Sequence, residues 1–211
     1  MQYQVVILIL LKIRGNSMNQ VVIVDTRNQK DDFVVSSLEK LGCTVIRSKL
    51  PFGDVALATN ILNCIDLKSS GGGLIEVAKN ICSKDHNRVR KEIDSCLEVN
   101  GKITFMCFEP GINSIDEVIN WKVPRYKANL FKDKPVYNIK GKICAYERIC
   151  LHKKGQLMTK VKPETLMKAL KTMTEQDHYR PGSKVEFVFD TKENCGEKIL
   201  KILEKGNGNT N

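Results

Sequence analysis

The chain has 211 residues, 42% of them hydrophobic, and a formal net charge of +10. This length allows one sizeable domain or two small ones, and the hydrophobic content excludes an intrinsically disordered chain. The positive charge suits an anionic partner, of which nucleic acid is the commonest, but an ordinary basic protein fits the charge equally well.

The spacing of the apolar residues predicts alternating strands and helices from residue 19 onwards. Short apolar runs or alternation of apolar and polar residues indicate strands, a period of three to four indicates helices, and Gly, Pro and Asn mark the turns. In chain order the predicted elements are a strand at 21–24, a helix at 32–41, a strand at 43–46, a hairpin at 55–58 and 62–67, helices at 74–82 and 89–97, a strand at 102–108, a short helix at 114–121, a helix at 163–173, a strand at 185–189 and a helix at 199–203.

This alternation implies an α/β fold with a mixed central sheet flanked by helices. Residues 122–160 break the alternation, and they are basic and carry three tyrosines. We interpret them as an insertion into a single domain at 19–205, whose last helix, strand and helix complete the sheet. The Gly/Asn-rich tail at 206–211 is expected to be disordered.

The first 18 residues have no link to the pattern that follows. Val5 to Leu11 is an apolar run of seven residues, too short to span a bilayer, and no small-residue cleavage site follows it. A cleaner opening begins at Met18, so we expect residues 1–18 to be an N-terminal extension that reflects the choice of start codon. An intact peptide from Met1 in native protein would contradict this.

Cysteine and histidine spacing argues against a zinc site. None of the eight cysteines forms a C-x-x-C pair, and the three histidines are scattered. Reduced thiols on apolar faces, in a cytoplasmic compartment, are the simpler interpretation. We expect Trp121 in the core or at a hinge, and His86 and His178 at the surface.

Two aspartates and a lysine on the predicted hairpin have the spacing of a phosphodiester-cleaving site. Asp54 precedes the first strand, and its partners Asp66 and Lys68 lie two residues apart on the second, so their side chains project from one face. The turn brings Asp54 back beside Asp66. Asp25, at the end of the first strand, adds a carboxylate at a strand terminus, where α/β sites usually form.

Phosphodiester hydrolysis needs a metal held by hard oxygen ligands, an activated water, and neutralisation of the charge that builds on the phosphate. Two carboxylates and a lysine can supply all three, because Mg²⁺ prefers carboxylate oxygens and keeps several waters. A solvated strand edge with ordinary charges fits the same D-x-K triplet. Ile65 and Leu67 flank Asp66 with apolar residues, which favours a site over that alternative.

Three segments resemble the XPF-type nuclease domain of the PD-(D/E)xK superfamily. They are Val-Asp-Thr-Arg-Asn-Gln at 24–29, Leu-Pro-Phe-Gly-Asp-Val at 50–55 and Ile-Asp-Leu-Lys-Ser at 65–69, in the order and at the spacing of the family. The segments at 87–92 and 105–109 resemble its Arg/Glu helix and its apolar strand ending in Glu. Short single-domain versions carried by phages and prophages share further segments, at 84–88, 121–125 and 166–173. The resemblance covers about residues 19–205 and implies a restriction-endonuclease-like fold.

The resemblance also assigns roles. It implies that Asp25, Asp54 and Asp66 surround the metal and that Lys68 is the catalytic lysine. Supporting roles, in bracing the carboxylates or in binding phosphate, fall to Glu92, Glu109, Glu76, Arg27 and Arg88.

Two positions depart from the family pattern. The family's E-R-K is Asp66-Leu67-Lys68 here, so the arginine is lost, and the next acid of the family falls on Gly72. Glu76, one helical turn further on, is the candidate replacement for that acid.

DNA contacts are expected from two regions. The corner at 69–73 is either a flexible segment that lets DNA approach or a plain loop. The basic residues of 122–160 can track a DNA backbone while their tyrosines stack on unpaired bases, or they form a solvated surface. The candidate DNA-binding residues are Ser69, Ser70, Arg88, Arg125 and Lys127.

The resemblance implies a Mg²⁺- or Mn²⁺-dependent endonuclease that cuts branched, flap or junction-containing DNA. Its setting would be phage DNA replication, recombination or repair in the cytoplasm of a bacterial host. A homodimer is a further expectation, whereas membrane association is not expected. The main alternative is a catalytically weak or inactive nuclease-fold protein that binds DNA, and a sequence-tolerant RNA-binding module is a less favoured third.

Overall fold

The computed structural model describes residues 20–28, 31–69, 72–83, 86–125, 131–150, 157–179, 181–193 and 195–205, with side chains for all of these except 131–134 and 147–150. The N-terminal extension, the tail at 206–211, Ser70 and Lys127 lie outside the described residues, so the predictions for them stay predictions. Among the described residues, no helix has the length and apolar character that crossing a bilayer requires.

Within these ranges the chain alternates between strands and helices much as the apolar pattern predicts. The elements are β1 (Val21–Asp25), α1 (Asp32–Lys40), β2 (Thr44–Ser48), β3 (Val55–Leu57), β4 (Asn60–Lys68), α2 (Gly73–Ile81), α3 (His86–Glu98), β5 (Lys102–Phe108), a 3-10 helix (Asp116–Asn120), β6 (Phe131–Tyr137), β7 (Ile143–Cys150), α4 (Pro163–Glu175), β8 (Glu186–Asp190) and α5 (Cys195–Lys205).

Six of the strands form one mixed sheet in the order β2-β1-β3-β4-β5-β8. β3 is antiparallel to both of its neighbours, whereas the pairs β1–β2, β4–β5 and β5–β8 are parallel. The predicted mixed central sheet is therefore confirmed. Because β1 and β4 run the same way, their carboxyl ends and the start of β3 meet at one edge of the sheet.

Helices cover both faces of the sheet. Val34 and Leu38 of α1 and Ile199 of α5 pack on one face, in a cluster that includes Ile65 and Leu67 of β4. On the other face, the apolar side of α3 packs against Cys64 and Phe105. That side is formed by Val89, Ile93, Cys96 and Leu97, which are all buried as their helical spacing predicts. Full burial of a side chain such as Ile93 contributes about 1.5–3 kcal/mol.

Two predicted placements are wrong. The helical spacing predicts Leu41 on the core face of the first helix, with Val34 and Leu38, but α1 ends at Lys40 and Leu41, at its C-cap, is 43% exposed. His178 is only 4% exposed, and its Nε2 lies 2.7 Å from Met173 O. That carbonyl lies in the last turn of α4, where carbonyl oxygens lack partners within the helix, so the imidazole satisfies one of them. Trp121 is buried, as expected.

The described residues of 122–160 add no strand to the central sheet. β6 and β7 instead form a separate two-stranded antiparallel sheet. At the base of this hairpin Arg125 pairs with Leu157, and Met158 N donates a hydrogen bond to Pro124 O at 2.9 Å. The chain thus leaves and rejoins the main body at adjacent points, which is the geometry that an insertion requires.

Candidate active site

The hairpin of β3 and β4 places Asp54 against the end of β4. The N–H of Asp54 donates to Ile65 O at 2.8 Å, and its Oδ2 accepts a hydrogen bond from Leu67 N at 2.8 Å. Leu67 lies between Asp66 and Lys68, so the three functional side chains come together. The turn at residues 58–59 pairs Leu57 with Asn60, and a register shift between Ala56 and Leu57 then pairs Val55 with Ile65, which places Asp54 beside the end of β4.

A cavity of about 800 Å³ opens at this edge of the sheet. Its lining carries both acidic and basic side chains, which suits a charged and hydrated ligand better than an apolar one. The charged lining residues are Arg27, Asp54, Asp66, Lys68, Glu76, Arg88, Lys91 and Glu92.

Lys68 and Asp66 form a buried ion pair in the floor of the cavity. Nζ of Lys68 lies 2.5 Å from Oδ1 of Asp66, and each residue is 6% exposed. Burial alone would lower the pKa of Lys68, but the negative charge of Asp66 outweighs it and the pKa is raised. Lys68 is therefore held as a cation at neutral pH, which suits it to stabilise negative charge rather than to accept a proton.

Asp54 carries the clearest electrostatic signature of the cavity. Burial and, second, the charge of Asp66 raise the pKa of Asp54 to about 7, against the opposing effect of the Leu67 N–H bond. Two carboxylates in one poorly solvated site repel each other, and a bound cation relieves that repulsion.

The donor set fits a hard, hydrated cation. Among the described residues, no group of three or more His, Cys, Asp or Glu side chains lies close enough together to hold a metal ion. Mg²⁺ needs less, because it keeps several waters and is commonly held by one or two carboxylates. Asp54 and Asp66 therefore fit Mg²⁺ or Mn²⁺, and the latter shares the same preference for oxygen ligands.

The structure does not bring Asp25 into the cavity. Its Oδ1 accepts hydrogen bonds from Arg27 N at 2.7 Å and Arg27 Nε at 2.8 Å, and its Oδ2 accepts from an Arg27 terminal nitrogen and Leu50 N, both at 2.7 Å. Burial would raise the pKa of Asp25, but these bonds outweigh it and lower the pKa. A carboxylate so fully engaged is a brace for Arg27, whose 59% exposed side chain lines the cavity, rather than a metal ligand.

Glu76 lies on the first turn of α2 and reaches back towards the end of β4. Its Oε2 accepts a hydrogen bond from Ser69 N at 3.2 Å, and both residues line the cavity. Glu76, the candidate replacement for the family's next acid, therefore lines the same cavity as Asp66 and Lys68.

Gly72 explains why that acid is not at its usual position. The backbone there has φ of +100°, and a Cβ atom would lie 3.2 Å from Oε2 of Glu109. Glu109 itself does not appear in the described lining of the cavity. Its Oε2 accepts from Leu74 N at 3.1 Å and its Oε1 from Trp121 Nε1 at 3.2 Å, so it ties the start of α2 to the core.

The missing arginine has a similar explanation. The side chain of Leu67 points to the opposite face of β4, is 4% exposed, and packs in the cluster under α1 and α5. The functional part of this residue is its backbone N–H, which binds Asp54.

One face of α3 supplies the rim of the cavity. Arg88 and Glu92 lie one turn apart, with 3.6 Å between the guanidinium and the carboxylate, and Arg88 is 61% exposed. Sequence reasoning missed Lys91 and Ser95, which share this face. Their spacing from Arg88, at i+3 and i+7, is the signal that would have found them. Arg125 is exposed at the base of the β6–β7 hairpin and is not part of this lining.

The fold is similar to a solved structure described as XPF from Aeropyrum pernix. The match has a TM-score of 0.51 and 14% sequence identity, and it covers 90% of this chain and 66% of that one. The chain thus spans slightly less than two thirds of the protein it matches, and likeness at this identity shows the fold alone. No protein-family model matches the sequence, and no curated protein matches it. The fold is restriction-endonuclease-like, and it carries an acidic and basic cavity at the edge of its sheet.

Proposed function

We propose that the protein is a divalent-metal-dependent endonuclease that hydrolyses DNA. The observation that carries the proposal is the meeting of Asp54, Asp66 and Lys68 in one cavity, at the sheet edge of a nuclease-like fold. The net charge of +10 supports an anionic polymer as the substrate.

In this proposal Asp54 and Asp66 hold the metal. Bound Mg²⁺ supplies the Lewis acidity that neutralises charge on the phosphate. Lys68, kept protonated by Asp66, donates hydrogen bonds to the attacking water or to the phosphate oxygen that gains charge. Arg27, held by Asp25, binds a neighbouring phosphate.

The rim of the cavity extends this surface along the DNA. Arg88 and Lys91 on α3 offer two further cations beside the cavity. Phosphate contacts of this kind position a duplex without reading its sequence, and they weaken steeply as salt concentration rises. Preference for branched, flap or junction DNA, the phage or prophage setting, the host cytoplasm and pairing of two copies stay predictions from the sequence resemblance.

Cleavage of labelled forked and four-way junction DNA tests the proposal. Wild-type protein should cut with Mg²⁺ or Mn²⁺ and not with EDTA, whereas Asp66→Asn and Lys68→Met should bind DNA and cut poorly. Asp177→Asn and Lys184→Met are the matched controls, because Asp177 and Lys184 form an exposed ion pair at 3.1 Å away from the cavity. Equal cutting by both site variants and wild type would exclude this site.

A second candidate function is DNA binding without cleavage. It is favoured by the small ligand set, with two carboxylates and no third acid at Gly72, and by Leu67 in place of an arginine. A wild-type protein that binds junction DNA but never cuts it, with either metal, would establish this candidate instead.

A further inference from the structure

The β6–β7 hairpin carries a concentration of exposed apolar side chains that the catalytic proposal does not use. Every residue from 136 to 146 is exposed. Tyr137 is 60% exposed, Ile143 51%, Tyr146 65%, and Ile139 at the tip is fully exposed at 106%. Contiguous apolar surface of this kind on a soluble protein marks an interaction site.

The two tyrosines lie on one face of the hairpin. Tyr146 is the cross-strand partner of Pro135, and Ile143 is the partner of Tyr137, with a register shift between Val136 and Tyr137. Pro135 and Tyr137 lie two residues apart on β6, so they and their cross-strand partners lie on one face. Tyr137 and Tyr146 therefore present two exposed rings on one face of the hairpin, each open to stacking with a base.

The tip of the hairpin is organised by its own hydrogen bonds. Asn138 N donates to Lys142 O at 2.8 Å, and Gly141 N donates to Asn138 O at 2.9 Å. The side-chain Oδ1 of Asn138 accepts from the N–H groups of Lys140 and Lys142, each at 3.0 Å. Gly141 supplies the φ of +69° that this turn requires. An organised tip loses little conformational entropy when a ligand binds.

Charge identifies the kind of partner. The charged residues within 136–146 are Lys140 and Lys142, both exposed, and the segment contains no acid. Aromatic rings beside cations form the combination that binds single-stranded nucleic acid, because the rings stack on bases and the cations bind phosphates. A second copy of the same surface would bring lysines against lysines, which disfavours self-association.

We propose that the β6–β7 hairpin binds an unpaired DNA strand, with Tyr137 and Tyr146 stacking on its bases and Lys140 and Lys142 binding its phosphates. The choice of DNA rests on the proposed function, but the binding does not depend on the cleavage chemistry. A hairpin of this type gives the protein a second contact on a branched substrate, at its unpaired arm.

Fluorescence anisotropy of the full chain in EDTA tests the proposal, with labelled oligothymidine and a blunt duplex of equal length as probes. The double variant Tyr137→Ala/Tyr146→Ala should raise the Kd for oligothymidine about tenfold or more, as loss of base stacking does elsewhere. Tyr137→Phe/Tyr146→Phe keeps the rings and should bind like wild type. The blunt duplex should change little with either variant. Equal binding of oligothymidine by the Ala and Phe variants, or an equal loss on duplex, would overturn the proposal.

Tyr179 offers a matched control outside the hairpin. It is 55% exposed and has φ of +59°, which asparagine tolerates well. Tyr179→Asn should leave oligothymidine binding unchanged, and the same loss as in the hairpin variant would count against a specific role for the hairpin. Thermal unfolding should show wild-type stability for the Ala double variant, because it removes exposed rings and not core contacts.

Other partners bound to this face of the hairpin would give different experimental results. A change in sedimentation of the Ala double variant with unchanged DNA binding would identify an interface between copies and overturn the proposal. Tighter binding of oligouridine than of oligothymidine would overturn the choice of DNA. Wild-type protein that binds oligothymidine through the tyrosines but never cuts a fork would support the hairpin proposal and contradict the nuclease proposal. Ala variants that bind and cut a fork like wild-type protein would support the nuclease proposal and contradict the hairpin proposal.

Discussion

Two groups of carboxylates lie near the same edge of the sheet, and they differ in what their oxygens contact. Both oxygens of Asp25 and both of Glu109 accept hydrogen bonds from N–H groups of the protein. Asp54 and Asp66 instead line a cavity, where one is raised in pKa and the other is paired with Lys68. The difference teaches that a carboxylate at a strand end is a brace when both of its oxygens are held by N–H groups of the protein. It is a ligand candidate when it lines a cavity with one oxygen so held, as Oδ2 of Asp54 is by Leu67 N and Oδ1 of Asp66 is by Lys68.

The largest expected effect is on the cleavage rate, and it distinguishes Asp54 from the bracing carboxylates Asp25 and Glu109. Asp54→Asn should lower the cleavage rate by about 10²–10³, the range seen when one electrostatic contact in a catalytic site is removed. The fold should remain intact, since the amide is isosteric and its oxygen still accepts from Leu67 N. Mn²⁺ binding, followed by electron paramagnetic resonance, should weaken in parallel. Wild-type Mn²⁺ affinity in this variant would remove Asp54 from the proposed ligand set.

Asp25→Ala should mainly lower the free energy of unfolding. The change leaves Leu50 N and the Arg27 guanidinium without their partner, and breaking a buried ion pair costs about 3–5 kcal/mol, less where one member is exposed as Arg27 is. Chemical denaturation gives the size of the loss. Because Arg27 also loses its anchor, DNA binding should become less dependent on salt.

Asp31→Ala is the matched control for this variant. Asp31 is another buried aspartate, paired with Arg47 at 3.0 Å and outside the described lining of the cavity. Its loss should lower stability without changing the salt dependence of DNA binding. If Asp25→Ala instead abolished Mn²⁺ binding while keeping wild-type stability, Asp25 would be a ligand and the comparison would fail.

Glu109→Ala should cost less than Asp25→Ala. It leaves Leu74 N and Trp121 Nε1 without an acceptor, and an unsatisfied buried donor costs about 1–3 kcal/mol. For a domain of this size each kcal/mol lowers Tm by about 2–4 °C, so thermal unfolding measures the change. Mn²⁺ affinity should stay at the wild-type value, and a loss of affinity at unchanged Tm would contradict the bracing role.

The smallest expected effect is the dependence on pH. Since the pKa of Asp54 is raised to about 7, Mn²⁺ affinity should rise as the pH increases through 7 and level off above it. In metal-free protein the raised pKa of Asp54 makes the folded state less stable, not more, as the pH increases. Its contribution is full below the ordinary pKa of 3.8 and is lost as the pH rises through about 7, because the buried carboxylate then becomes charged. Asp54→Asn should remove both dependences.

Much of this arrangement follows from local patterns. The apolar residues of 102–108 predict β5 with the observed bounds, and the predicted hairpin brings Asp54 towards Asp66, although the register shift between Ala56 and Leu57 that completes this pairing is not visible in the sequence. The role of Asp25 does not follow, because its decisive partner, Leu50 N, comes from 25 residues further along the chain. Glu109 is similar, since the contacts with Leu74 and Trp121 that satisfy it exist only after the sheet and α2 have packed.

Two further features could not be predicted from the sequence, because they too depend on contacts or backbone conformations that form on folding. The burial of His178 depends on a carbonyl at the end of α4, and no apolar pattern around the histidine indicates it. The lack of an acid at Gly72 goes with a φ of +100° and with the nearby Glu109, neither of which the sequence pattern indicates. Long-range contacts and backbone conformation are the information that periodicity does not carry.

The bridge between Arg125 and Leu157 brings the two ends of the segment 126–156 to one place on the main body. Antiparallel partners of this kind have Cα atoms about 4.5–5.5 Å apart, a gap that a short turn can bridge. On the predicted insertion, gain, loss or exchange of this segment would leave the register of every strand of the central sheet unchanged. The same junction would then allow a different hairpin to be grafted onto the main body.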